Sequence, residues 1–311
     1  MVSRAAKMTS VDAVLHGLQG AKKDTKGKVL EFALLGALMV ILATLFALLF
    51  DVMRLGVGVL VDRPGAFFTG KLSTFSAQTA GISQGIKGSM LLMIFVVIVA
   101  FPLGIASAVY LEEYASDTRL NRFISVNIRN LAGVPAIVYG LLGLTIFVQF
   151  FGGLTGGTSL IAGGLTLAVL VLPIVIITSS EALRAVPDSI REAGYGVGAT
   201  RWQVIRSHVL PSAAPGILTG TVLSISRAVG ETAPLLVVGA ITGFLSNGGQ
   251  NFVEQLRGKY TSMPTIIYRW ATLPNQDFRA LTSAAIIVLL AVTLLANGVA
   301  IFLRNRYERK W

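Results

Sequence analysis

Six long apolar runs separated by polar stretches set the plan of this 311-residue chain. They fall at about 31–50, 88–110, 131–151, 160–180, 212–240 and 283–303. Each is close to the ~20 residues that a helix needs to cross a ~30 Å hydrocarbon core. In lipid a backbone must satisfy its own hydrogen bonds, so apolar runs of this length are read as spanning helices. The first run exceeds the ~7–15 residues of a signal-peptide core and is expected to stay as an uncleaved anchor. The expected fold is an all-α polytopic membrane protein with six transmembrane helices.

The polar stretches divide the rest. Residues 1–30 form a basic tail, 51–87 a first external loop, and 88–304 a core holding spans 2 to 6. Within that core lie a polar connection (111–130), a loop rich in arginine (181–211) and a long external connection (241–282), and residues 305–311 close the chain as a second tail. Pro102 marks a bend in the second span, and the third opens with LAGVP and holds Tyr139. The glycine-rich GGLTGGTS at 152–159 lacks a lysine and reads as a tight turn between spans. In the external connection, Ile266, Ile267, Trp270 and Leu273 recur at helical spacing behind Pro264, which predicts a short helix over 263–273 at the membrane–water boundary.

Charge orients this plan. With the N-terminus inside, the inward segments carry 17 Lys and Arg and the outward segments 8. Basic residues collect on the cytoplasmic side, so both termini are expected there, N-in/C-in. The net charge of +11 is thereby accounted for without a nucleic-acid surface.

Composition narrows the chemistry. The chain is 54% hydrophobic and 13% charged, against about a quarter charged in soluble domains. It has no cysteine and two histidines, His16 and His208, which leaves neither a thiolate site nor an HExxH pair. No catalytic or metal-binding set is expected, and no GxxxxGK[ST] run exists to hold a nucleotide.

The most informative stretch is 181–240. Its first half mixes helix formers with Pro187, Gly194, Gly196, Gly198 and Pro211, which predicts a stiff helix–turn–helix that Pro211 ends. Its second half is an apolar span that carries Arg227 and Glu231. Four residues apart, the two share a helix face, and at ~1.5 Å per residue from Gly216 they lie roughly 16 and 22 Å into the membrane. A charge at the centre of a span costs about 2.5–3.5 kcal/mol, while one apolar residue returns only about 0.3–0.6. The charged face should therefore point into the bundle or an aqueous path. The pair either fastens helices together or holds an anion, for which a guanidinium supplies forked donors. Pro234, three residues on, is expected to loosen this helix.

Glu192-Ala193-Gly194, three residues, Gly198, nine residues, then His208-Val209-Leu210-Pro211 resembles the EAA signature of ABC importer permeases, with Gly194 in place of alanine and His208 in place of isoleucine. The segments GIASAVYLEEYA, NIRNLAGVPAIVYGLLGL, LPIVIITSSEALRAVP and SRAVGETAPLLVVGA, in that order over about half the chain, resemble the phosphate-importer permeases of PstA type. The resemblance implies a MetI-like ABC permease architecture in the cytoplasmic (inner) membrane of a prokaryote. It also implies a second related permease, two ATPase subunits that use the ATP, and an extracytoplasmic phosphate-binding protein. Glu192, Ala193, Gly194, Gly198, Leu210 and Pro211 would then form the ATPase-coupling loop, with Ala193, Gly194 and Gly198 permitting close approach. Arg227 and Glu231 would line the substrate pathway.

Other classes differ in what they require. A permease for molybdate or sulfate would use the same arginine chemistry. An ion-coupled secondary transporter would show discontinuous helices in paired repeats and no ATPase-facing loop. An intramembrane hydrolase would need a base, and His208 lies in the polar loop.

Overall fold

In the computed structural model, residues 25–240 and 251–307 are described. The tail before residue 25, residues 241–250 of the external connection and residues 308–311 of the closing tail lie outside the described residues. Among the described residues there are helices and turns and no strand.

In chain order the helices are α1 (Thr25–Asp62), α2 (Pro64–Thr69), α3 (Ser83–Val109), α4 (Arg119–Ala132), α5 (Ala136–Gly143), α6 (Gly152–Thr155), α7 (Leu160–Arg184), α8 (Asp188–Gly196), α9 (Arg201–Val204), α10 (Leu210–Gly230), α11 (Ala233–Val237), α12 (Phe252–Leu256), α13 (Met263–Ala271) and α14 (Asp277–Tyr307). Wider π turns extend α3 over Tyr110–Tyr114, extend α5 over Leu144–Phe150, and join α9 to α10 over Ile205–Val209. Among the described residues five helices are long and apolar enough to cross a membrane, and a sixth crossing forms if the bent pair α4–α5 counts as one.

The chain divides into two units at Asp51. In the first, α1 exposes apolar side chains all round, including Phe32, Met39 and Phe46, as a helix surrounded by lipid does. The second unit is built on α3 and α7. Lipid tails are as apolar as leucine, so close approach rather than water exclusion drives such packing. Ala100, Gly104 and Ala108 on α3 and Gly164 and Ala168 on α7 bring the two backbones together; a Cβ on Gly104 would meet Val175 Cγ1 at 2.6 Å. Leu92, Val96, Val171 and Val175 fill the seam.

Separate clusters close the two ends. Phe67, Ile82, Trp270 and Phe278 pack where α3 begins, and Trp270 Nε1 donates to the Ser73 carbonyl at 2.9 Å. Val109, Leu183, Val204, Ile205 and Val209 pack where α3 finishes. The expected helix over 263–273 is α13, with Ser262 at its N-cap and Pro264 in its first turn.

Three elements differ from the hydrophobic pattern. The first helix continues past residue 50 to Asp62, because Val52, Leu55, Val59 and Leu60 remain apolar beyond Asp51, and Gly56 is buried against Ser283 and Ala284 of α14. The run at 131–151 is no straight span: the chain bends by 103° between Ala132 and Ala136. Pro135 disfavours helix at Val134 and so separates α4 from α5. The polar connection before it is itself helical, capped by Thr118 Oγ1, which accepts from Asn121 N at 3.2 Å. The fifth span ends early. α10 stops at Gly230, Glu231 takes an extended backbone (φ −74°, ψ 115°), and α11 restarts two residues later.

Candidate functional site

Two groups of charged residues stand out, one at the end where α3 finishes and one part-way along α10.

At the first, Pro187 opens α8 and Gly198 ends the turn after it. Gly198 has φ +81°, a left-handed conformation that residues with a Cβ adopt only at a cost, and no side chain lies where its Cβ would point. Thr200 and Gln203 then form a reciprocal cap on α9, with Thr200 N donating to Gln203 Oε1 at 2.8 Å. Glu192, Ala193 and Gly198 are exposed on this protruding segment, as a docking element requires.

Three of the six loop residues differ from their expected roles. Gly194 is buried, and a Cβ there would sit 2.7 Å from Val204 Cγ2. Its small size lets α8 fold back onto α9, so it serves packing within the chain and presents no surface to a partner. Leu210 and Pro211 are no terminus either. The chain stays helical through them: a π turn over Ile205–Val209, closed by Leu210 N donating to Ile205 O five residues back, leads straight into α10. Proline offers no N–H and collides with the preceding turn of a regular α-helix, and the wider turn accommodates it. Leu210 is half-buried beside Val209, Pro211 is exposed, and His208 is exposed on the same turn.

This end also holds a set of contacts not visible in the sequence. Glu113, 4% exposed, meets the Arg191 guanidinium with Nη2 2.7 Å from Oε1. Arg191 also donates from Nη2 to Leu183 O at 2.9 Å, and from Nη1 to Val186 O at 2.7 Å and Asp188 Oδ1 at 3.1 Å. The hydrogen bond with Glu113 holds Arg191 above the ordinary arginine pKa against the opposing effect of burial, with the Glu113 and Asp188 charges assisting. Next to it, Glu112 takes Arg184 in a two-pronged pair, Nε–Oε2 2.6 Å and Nη2–Oε1 2.8 Å. Arg201 lies 5.0 Å above the centre of the Tyr114 ring.

The second group is sparser. Arg227 Nε is 3.4 Å from Glu231 Oε1, and the side chains are 51% and 21% exposed. The two residues do meet, but by a different route from the expected shared helix face: Glu231 belongs to the break after α10 and folds back from an extended backbone. Pro234 does not loosen a continuous helix. It is buried in the first turn of α11, beside Gly140 of α5, and the discontinuity precedes it. Next to Arg227, Ser226 Oγ is hydrogen-bonded to Asn297 Oδ1 of α14. Among the described residues no three His, Asp or Glu side chains gather to hold a metal ion.

Residues 100–309 match the family model described as "Binding-protein-dependent transport system inner membrane component". The chain belongs to that family. It is 34% identical over 247 residues to the phosphate transport system permease protein PstA of Yersinia pestis, covering 78% of this chain and 79% of that protein. It is 34% identical over 232 residues to PstA 1 of Mycobacterium tuberculosis, covering 74% and 72%. Among solved structures, the fold is similar to a chain of a bacterial alginate ABC transporter in complex with an alginate pentasaccharide-bound periplasmic protein, at TM-score 0.64 and 17% identity over 91% of this chain and 96% of that one. A chain of the inward-facing MetNI methionine ABC transporter gives TM-score 0.56 at 18% identity, covering 74% and 95%. This binding-protein-dependent permease is thus an integral membrane protein with a MetI-like fold, and the family match takes in both charged groups.

Proposed function

We propose that this chain is a transmembrane permease subunit of an ATP-driven importer of inorganic phosphate. The observation that carries the reading is its similarity, at 34% identity over most of both chains, to permeases named for phosphate transport. The geometry supports it in two places. Glu192, Ala193 and Gly198 project from a segment stiff enough to press on another subunit, which suits the ATPase-coupling role, with Gly194, Leu210 and Pro211 shaping that segment from within. Arg227 is half-exposed and meets Glu231 through Nε in a loose ion pair, and a guanidinium's outer nitrogens are the donors a tetrahedral oxyanion needs.

In this reading Glu231 neutralises Arg227 while the path is empty and yields it to phosphate in transit, which keeps binding weak enough for release. The break at Glu231 sets that carboxylate on an extended backbone outside either helix. Broken helices are also what a secondary transporter would show, yet membership of the binding-protein-dependent family favours ATP as the driver. ATP would be bound by two separate ATPase subunits and none by this chain. A second related permease would complete the pathway, and an extracytoplasmic phosphate-binding protein would deliver the ion. The complex would sit in the inner membrane of a prokaryote, with both termini of this chain in the cytoplasm.

The test is ATP-dependent uptake of labelled phosphate by the reconstituted complex, with sulfate and molybdate as competitors. Uptake that phosphate alone competes away supports the reading. Preferential uptake of molybdate or sulfate would replace the cargo, and uptake driven by an ion gradient without ATP would overturn the mechanism.

A further inference from the structure

Three consecutive residues at the end of α3 each hold an arginine from a different later element. Glu112 holds Arg184 from the last turn of α7, Glu113 holds Arg191 from α8, and Tyr114 lies under Arg201 at the start of α9. These residues belong to the π turn Tyr110–Tyr114, whose extra residue changes the facing of the side chains that follow it.

We propose that this turn is a socket that fixes the protruding α8 to α3 and α7, with Glu113 and Arg191 as its positioning residues. Through it, movement imposed on α8 would reach both core helices as one body. The inference rests on the coupling role proposed above for α8.

The chemistry of Arg191 carries the argument. A guanidinium has five donors in a planar fork, and here the fork serves three elements. Glu113 is the final glutamate of α3's extension, Leu183 O and Val186 O are carbonyls at the finish of α7, and Asp188 begins α8. Leu183 O lies in the last turn of α7 and Val186 O just beyond it, where the regular helical ladder has ended, so Arg191 supplies donors to both and neutralises a buried carboxylate. A lysine keeps the charge but offers one point of contact, which cannot span the same set. Glutamine at 113 keeps the shape and loses the charge. By contrast, the nearby Arg122–Asp117 pair is 70% and 82% exposed and joins α4 only to its own entry turn.

The complex with its ATPase and binding protein is reconstituted in vesicles, and phosphate transported per ATP hydrolysed is measured. Arg191→Lys and Glu113→Gln are expected to lower that ratio about tenfold while the ATPase still co-purifies, in the range for loss of one link in a coupling network. Asp117→Asn should leave the ratio unchanged. Because the chain has no cysteine, Tyr110→Cys with Ser189→Cys allows spin labels on the socket and on α8. In the otherwise unaltered protein the distance between them should be the same without nucleotide and with ATP bound. An unchanged ratio in both variants overturns the socket, and so does a label distance that shifts with nucleotide. The label measurement decides the matter even if the variants fail to assemble. A wild-type complex that hydrolyses ATP but moves no phosphate would instead refute the cargo, and the label distance would still test the socket.

Discussion

Two of the arginine–glutamate pairs among the described residues are of opposite character. Arg191 and Glu113 come from positions 78 residues apart and are largely buried, and Arg191 also donates to two carbonyls at and just past the end of α7 and to an aspartate. Arg227 and Glu231 are four residues apart, half open, and meet at 3.4 Å with no other described partner. Identical functional groups thus give a fastener in one place and an exchangeable site in the other. What separates them is the number of acceptors around the guanidinium and how much of it the chain's own atoms cover. A saturated buried pair resists separation, whereas an exposed pair with one contact contributes little to stability and can trade its partner.

The contrast can be broken by substitution. Arg227→Ala has the largest expected effect on transport, abolishing phosphate uptake while thermal stability changes by no more than about 0.5 kcal/mol. Arg227→Lys should also be impaired, since a point charge does not reproduce the fork. Normal uptake by Arg227→Ala, or a large stability loss, would make this pair a second fastener. Arg191→Ala should do the reverse and lower stability by about 3–5 kcal/mol, because it strands the Glu113 carboxylate, and thermal unfolding of the solubilised protein measures this.

Two glycines sharpen the picture of the segment that Arg191 holds. Gly194→Ala puts a methyl against Val204 and should cost about 1–3 kcal/mol of stability through overpacking. Gly198→Ala meets no neighbour, so only its φ of +81° resists, at a cost of about 1–2 kcal/mol. That strain should appear as weaker co-purification of the ATPase beside an unfolding shift of that size, whereas Gly194→Ala should shift unfolding and leave co-purification unchanged; co-purification weakened equally by both substitutions would erase the distinction.

Much of the scaffold is legible from hydropathy. The apolar runs at 88–110 and 160–180 lie inside the two helices that build the core, and Pro264 with Ser262 marks the start of α13. The bend before α5 is harder to see, because proline and glycine are tolerated inside spanning helices and LAGVP passes as part of one. The helix α4 did leave a trace: Leu120, Phe123, Ile124 and Leu131 recur at helical spacing among its arginines. The stop after α10 was also written in Gly230, Thr232 and Pro234, a terminator followed by a new first turn. It was obscured by the apolar residues on both sides. The Glu113–Arg191 pair leaves no local trace, since nothing in one sequence ties two positions so far apart.

The π turn at Ile205–Val209 sets more than the path around Pro211. An α-helix turns by about 100° per residue, so one residue inserted into a turn changes the angular phase of every side chain beyond it. Arg227 lies downstream on the same run, Arg201–Gly230. The compass bearing of the arginine within the bundle is therefore chosen at the base of its helix, by a turn that sits among the residues of the protruding loop. Restoring regular α-helix there would leave the arginine at much the same depth and swing it away from its present face.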